Sequence, residues 1–369
     1  MRLVYFTHSL LSCWNHGNAH FLRGVLRALE ARGWETLAME PCDGWSEANL
    51  RRDHGEKAVA ECAAAVADLR RARYARPEEA DDAVAGADLV IVHEWTDPAV
   101  VARLGRLRAR GGGFRLLFHD THHRAVSRPQ EMRALDLSAY DGVLAFCESL
   151  AEIWRGWGRA AFAWHEAADL TRFRPAEAEE GRRGLVWIGN WGDGERSEEL
   201  ISMLLRPAEV ERLPLTIHGV RYPPEALAAL ERHGASYAGW APNHRAPELF
   251  ARALATVHVP RRFYLDALPG APTIRVFEAL ACGLPLVSAW WPDDENLFRP
   301  GEDYLVAGDE AEMRAHMRAL REDAGLRAAL AARGLETVRA RHSCDHRAGE
   351  LEAILARLGA PARGVGEAA

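Results

Sequence analysis

Pro272-Thr273-Ile274-Arg275-Val276-Phe277-Glu278-Ala279-Leu280-Ala281-Cys282-Gly283-Leu284-Pro285-Leu286-Val287-Ser288 reads as a short helix running into a buried strand. The helix begins near Thr273, Gly283 ends it, and Pro285 opens an apolar run suited to the interior of a parallel sheet. A helix start carries unsatisfied N–H groups and the positive end of the dipole, so Thr273, Ile274 and Arg275 are candidate contacts for an anion. Glu278 is a carboxylate inside an otherwise apolar helix. Such a group must find hydrogen-bond donors, and either ribose hydroxyls or a neighbouring Arg would supply them.

Outward from this stretch the same unit repeats, with short apolar runs alternating with longer helical patterns. Strands are expected at 3–7, 35–39, 88–93, 115–119, 142–146 and 161–164. A second series follows at 185–188, 215–218, 236–238, 256–259, 286–288 and 304–306. The first crossover helix spans 18–32, where Leu22, Val25, Leu26 and Leu29 share one face and Gly33 stops it. Further helices are expected at 195–205, 224–233, 246–252, 274–282, 310–322, 325–341 and 344–358. The rhythm breaks at Pro175 and the acidic stretch after it, which places a linker over 173–183. The expected architecture is therefore α/β: two Rossmann-like, doubly wound domains facing a cleft, 1–172 and 184–342. The segment 343–369 supplies a helix returning to the first domain and a frayed tail.

With 369 residues, the chain has room for two cores. Net charge is −7, from which a broad basic face and a nucleic-acid partner are not expected. The positive charge is nearly all Arg, with Lys57 the single lysine. Arg presents the better planar fork for phosphate oxygens, although a general Ala and Arg bias explains the count equally well. Six scattered cysteines form no C-x-x-C pair and read as reduced core residues. The N-terminus lacks a signal-peptide pattern and no apolar stretch approaches a membrane span, so a cytoplasmic protein is expected, with peripheral membrane contact left open.

The 272–288 stretch resembles the donor-site helix of GT-B glycosyltransferases, the F-E-A-x-A-C-G-x-P-x-V pattern of retaining enzymes. More narrowly, the chain is similar to the CgeB-like, group 1 type. The resemblance implies that Glu278 holds the ribose of a nucleotide-sugar donor, UDP- or GDP-linked. A second acidic residue of the family pattern, eight positions earlier, corresponds here to Gly270, and backbone N–H groups of Leu268-Pro269-Gly270-Ala271 would serve in its place. Trp187-Ile188-Gly189-Asn190-Trp191 resembles the first strand and loop of the donor domain, with Arg196 as the basic residue that neutralises a diphosphate. Arg275 and Arg261 compete for that role, and Gly219, after the strand at 215–218, falls where relatives contact the base. Arg together with a helix N-terminus can stabilise a departing diphosphate without a metal. No metal or further cofactor is expected.

In the first half, His16-Gly17-Asn18 lies between the first strand and its helix. Gly17 permits close backbone approach and Asn18 can cap the helix. The strand at 88–93 ends in His93-Glu94-Trp95, and the strand at 115–119 runs into His119-Asp120-Thr121-His122-His123-Arg124. Polar groups at strand C-termini mark the functional edge of a doubly wound sheet. Phe118-His119-Asp120-Thr121 resembles the F-H-x-T turn of retaining GT-B enzymes, which implies that His119 touches the donor sugar, with Glu94 a second catalytic candidate. The three histidines also raise a metal site, against which stands the lack of any second ligand cluster.

The expectation is thus a metal-independent, retaining glycosyltransferase with an unidentified glycan, lipid, protein or metabolite acceptor. A sugar-nucleotide epimerase of the same architecture and a non-catalytic nucleotide- or glycan-binding protein are the alternatives.

Overall fold

The computed structural model describes residues 1–176, 181–192 and 194–359. The central part of the expected linker, 177–180, and the tail from residue 360 lie outside the described residues. The chain divides into two compact units, Met1–His165 with the segment from Cys344, and Glu166–Ser343.

The N-terminal unit is built on β1 (Arg2–Phe6), β2 (Glu35–Pro41), β3 (Arg71–Tyr74), β4 (Leu89–His93), β5 (Arg115–Asp120), β6 (Gly142–Ala145) and β7 (Ala161–Ala163). Their order is β3-β2-β1-β4-β5-β6-β7, and every pairing is parallel. The order reverses direction at β1 and β4, which puts the switch point of a doubly wound sheet between them. Leu3, Val4, Phe6, Leu89, Val90, Ile91 and Val92 are fully buried, as expected for strands covered on both faces. The helix Ala19–Ala31 packs on this sheet through Leu22, Val25, Leu26 and Leu29. Asn18 makes no side-chain cap there and has helical φ and ψ, so the expected cap is absent. The helix Cys344–Leu358 belongs to this unit, where Arg32 reaches Asp345 and Glu352 and Trp34 reaches Glu352.

The strand β3 was not anticipated. Arg71-Ala72-Arg73-Tyr74 is too polar to read as a buried run, and it is tolerated because β3 lies at the sheet edge. The helix Trp45–Ala65 is interrupted at Gly55, whose φ of 76° and ψ of 178° are not helical.

The C-terminal unit repeats the plan with β8 (Leu185–Ile188), β9 (Leu215–His218), β10 (Ser236–Gly239), β11 (Ala255–His258), β12 (Leu286–Ala289) and β13 (Leu305–Ala307). The order is β10-β9-β8-β11-β12-β13, again wholly parallel, with the switch between β8 and β11. The single helix expected over 195–205 is instead Ser197–Leu200, a π turn over Ile201–Leu205, and Arg206–Val210. Pro207 lacks the N–H that would continue the ladder, which accounts for a widened turn before it. None of the six cysteines is in a disulfide; five are buried and Cys42 is exposed. No helix among the described residues is long and apolar enough to cross a membrane.

Candidate functional site

In the C-terminal unit, the polar residues gather where β8, β9 and β11 end. Beyond β8, the carbonyl of Gly189 accepts from the Tyr222 hydroxyl at 2.9 Å, and Asn190 Oδ1 accepts from the Val220 N–H at 3.1 Å. Gly219 is required here, because a Cβ at that position would stand 2.1 Å from the Gly189 carbonyl oxygen. The two glycines let the ends of β8 and β9 close on one another.

Arg196 is 6% exposed. Its guanidinium donates to the carbonyls of Val259 at 2.8 Å and Asn190 at 2.7 Å, and lies 5.1 Å over the Trp187 ring. Its Nε has no partner, and among the described residues no carboxylate is within ion-pair distance of it. Burial pushes its pKa down to about 10, with the neighbouring Arg261 adding to the effect. A buried cation held only by carbonyls is costly, and an anionic ligand would relieve the cost. Arg261, by contrast, is paired with Glu195 at 2.9 Å.

On the adjoining strand, His258 is buried; its Nδ1 lies 2.8 Å from Ser288 Oγ, and Ser288 donates to the Ala289 carbonyl. Ser288 must therefore accept from His258, which leaves Nε2 as a lone pair without a partner beside Arg196. Sequence reasoning missed His258 because a histidine inside an apolar strand carries no motif.

Glu278 is fully buried in the helix Ile274–Ala281. Arg275 pairs with its Oε2, and Asn243 Nδ2 donates to its Oε1 at 2.8 Å. The neighbouring-Arg alternative for Glu278 is thus realised in the structure, and Asn243 joins it from outside the motif. Thr273 is the N-cap residue but makes no side-chain cap. The N–H of Ile274 instead meets Glu166, a buried carboxyl pushed up to about 8 by desolvation and by Glu278. Gly270 adopts a left-handed φ of 84°, and a Cβ there would lie 2.8 Å from Glu295 Oε1. In the acidic run Asp293-Asp294-Glu295, Asp293 accepts from the N–H groups of Leu297 and Phe298, each at 2.9 Å.

In the N-terminal unit, histidines line the carboxyl ends of β1, β4 and β5. His119 is fully buried; the Tyr5 hydroxyl binds its Nδ1, and its ring meets Trp164 edge-on at 4.9 Å. Burial above all holds the Tyr5 hydroxyl protonated, so it donates, and the proton of neutral His119 sits on Nε2, which has no partner. Desolvation pushes His119 down to about 3. Glu94 Oε1 accepts from the Thr121 N–H at 3.0 Å and its hydroxyl at 3.2 Å, while Arg124 stands 3.7 Å from Oε2. Burial first, and Asp120 second, raise the Glu94 pKa well above the ordinary carboxylate range. Asp120, which accepts from Trp154 Nε1 at 2.8 Å, is itself pushed up to about 7 by burial. His16 stands 6.2 Å from His93, ring to ring, and His93 5.7 Å from His119, so one row joins three of the strand-end segments. Among the described residues, no group of three or more His, Cys, Asp or Glu is arranged to hold a metal ion.

Residues 196–353 match the family described as glycosyl transferase-like. No curated protein matches by sequence. Among solved structures, an α-glucosyltransferase in complex with UDP and a 13-mer DNA containing a HMU base is 14% identical, with a TM-score of 0.69 over 96% of this chain and 99% of that one. Alr3699/HepE of Anabaena, in complex with UDP and glucose, is 13% identical, with a TM-score of 0.68 over 97% of this chain and 100% of that one. Sucrose-phosphate synthase of Thermosynechococcus elongatus is 14% identical, with a TM-score of 0.64 over 97% and 99%. The chain shares the fold of these GT-B proteins. At these identities the likeness fixes the GT-B fold, and the two Rossmann-like units are its expected parts.

One expectation is overturned. A net charge of −7 does not exclude nucleic acid: several GT-B structures that match this chain are α-glucosyltransferases holding DNA. Net charge sums over the whole surface, whereas a DNA contact needs only a local set of phosphate-binding side chains.

Proposed function

We propose that this GT-B protein transfers a glycosyl group from a nucleotide-sugar donor, UDP-linked, to an acceptor hydroxyl, with retention at the anomeric carbon and without a metal ion. The observation that carries the reading is Arg196, a buried cation with two carbonyl partners and, among the described residues, no carboxylate within ion-pair distance. A nucleoside diphosphate leaves with developing negative charge, and a cation already desolvated interacts with that charge far more strongly than one in water. Arg196 would take the diphosphate and Glu278 the ribose, its carboxylate held in place by Arg275 and Asn243. Relatives of the same fold that hold UDP support the choice of base.

His119 and Glu94 would serve the sugar. His119 offers an Nε2–H donor, and a buried carboxyl with a raised pKa is suited to hydrogen-bonding hydroxyls in its neutral form. Retention rests on the F-H-x-T turn at Phe118–Thr121. A nucleic-acid acceptor is a second reading, favoured by the DNA held by relatives of the same fold.

The test is thermal stability with UDP, GDP, ADP and their glucose conjugates in EDTA. A ligand at one hundred times its dissociation constant raises stability by about 2.7 kcal/mol. A UDP-selective rise that survives EDTA is expected; no rise with any nucleotide overturns the reading.

A further inference from the structure

His8 follows β1 and is 4% exposed, yet neither of its ring nitrogens has a partner. His16, 7% exposed, lies 4.0 Å away, ring centre to ring centre. Its ring donates to the Ser9 carbonyl, and Nε2 has no partner. The proton is therefore on Nδ1, and Nε2 presents a lone pair. Trp45 lies flat over His8, at 5.2 Å and 5° between planes, and is 38% exposed. It is seated there by Gly44, whose backbone passes so close that a Cβ would stand 3.1 Å from the His8 carbonyl oxygen. Arg23, the cation nearest His16, is already occupied by the carbonyls of Leu10 and Leu11.

Buried polar atoms are paired in almost every native structure, so three unpaired ring nitrogens in adjacent imidazoles call for a ligand. Its chemistry follows from theirs. Desolvation keeps both rings neutral. A neutral imidazole offers one donor and one acceptor, and so does a hydroxyl. A phosphate oxygen only accepts, and would meet the lone pair of His16. The exposed indole adds an apolar face of the kind on which the C–H face of a pyranose stacks.

We infer that His8 and His16, capped by Trp45, form a subsite of the N-terminal unit that binds hydroxyls of a neutral carbohydrate acceptor. Naming that carbohydrate an acceptor rests on the transferase reading; the subsite itself does not. The ligand reaches the imidazoles by displacing the indole and then stacking on it.

The experiment uses the full chain, labelled with ¹⁵N-histidine, and methyl α-D-glucopyranoside and methyl α-D-mannopyranoside at millimolar concentration without nucleotide. At least one glycoside is expected to move the ring-nitrogen resonances of His8 and His16. His8→Phe, which keeps the ring and the stack, and Trp45→Ala, a change at an exposed side chain, should each weaken that binding by about tenfold or more, equivalent to one or two lost hydrogen bonds. The UDP-induced rise in melting temperature should equal that of the wild type in both variants. A glycoside response without any UDP response would support the subsite and remove the donor reading. Resonances unmoved by both glycosides, glycoside binding by His8→Phe at wild-type strength, or a response confined to a short duplex oligonucleotide would each overturn the inference.

Discussion

Asn243 donates its side-chain amide to Glu278 Oε1 at 2.8 Å, while Arg275 takes the other oxygen of the same carboxylate. Both oxygens of a fully buried acid are thus fixed before any ligand arrives. Glu278→Ala would strand Arg275, and breaking a buried pair from one side costs about 3 kcal/mol or more. Glu278→Gln keeps the shape and one acceptor oxygen. The alanine variant should melt well below wild type and lose UDP stabilisation. The glutamine variant should fold and show a reduced UDP shift, measured by thermal melts with and without UDP.

Arg196 predicts the opposite pattern. Removing a buried, unpaired charge lifts its desolvation cost, so Arg196→Met should melt no lower than wild type without ligand, even though the Val259 and Asn190 carbonyls lose a donor. Its UDP-induced stabilisation should be largely lost. A methionine variant that melts much lower, yet binds UDP normally by calorimetry, would assign Arg196 to structure alone.

Glu166 makes stability depend on pH. Its folded pKa, about 8, lies above the ordinary 4.5. The native state therefore holds a proton that the unfolded state has released, and this contribution is fully present below 4.5 and is lost as pH rises through 8. Glu166→Gln should match wild type near pH 5 and be the more stable of the two at pH 9, read from denaturant midpoints. Equal pH slopes in the two proteins would show that Glu166 is already ionised in the native state.

The Tyr5–His119 contact fixes a tautomer. Tyr5→Phe removes the donor to Nδ1 and leaves a buried nitrogen unsatisfied, at a cost of about 1–3 kcal/mol. The fraction of His119 carrying its proton on Nδ1 should rise, which ¹⁵N shifts report directly. Under the proposed role, in which Nε2–H is offered to the sugar, transferase turnover should fall in step.

Much of the scaffold could be read from the chain because its strands are buried on both faces. Leu185–Ile188 ends where its apolar run ends. Arg71–Tyr74 escaped because an edge strand can be polar. Glu278 and Arg196 stood out as candidates through resemblance to a family pattern. Their partners did not: Asn243 is 35 positions from Glu278, and Glu166 reaches Ile274 from the first residue of its unit. His8 and His258 likewise look like ordinary residues of apolar segments, and only tertiary placement shows that both ring nitrogens of His8, and Nε2 of His258, lack partners. Net charge cannot exclude a nucleic-acid partner, because a sum over the surface says nothing of local clusters.

Gly219 tests whether the close approach of β8 and β9 matters to the donor site. A Cβ at 219 would lie 2.1 Å from the Gly189 carbonyl oxygen and 2.8 Å from the Tyr222 ring. The ring can turn, but the carbonyl belongs to a strand end and can yield only if the backbone moves. Overpacking of this kind costs about 1–3 kcal/mol. The shift would fall on Gly189 and Asn190, and Asn190 supplies one of the two carbonyls that hold Arg196. Gly219→Ala should therefore lower the melting temperature and weaken UDP binding more than its stability loss explains. Gly234→Ala is the control: it also strains the backbone, at φ 67°, but meets no atom within 4 Å and lies after the helix Pro224–Arg232. If the two variants, compared by calorimetry at a temperature where both are folded, bound UDP equally well, the juncture of β8 and β9 would have no part in holding the nucleotide.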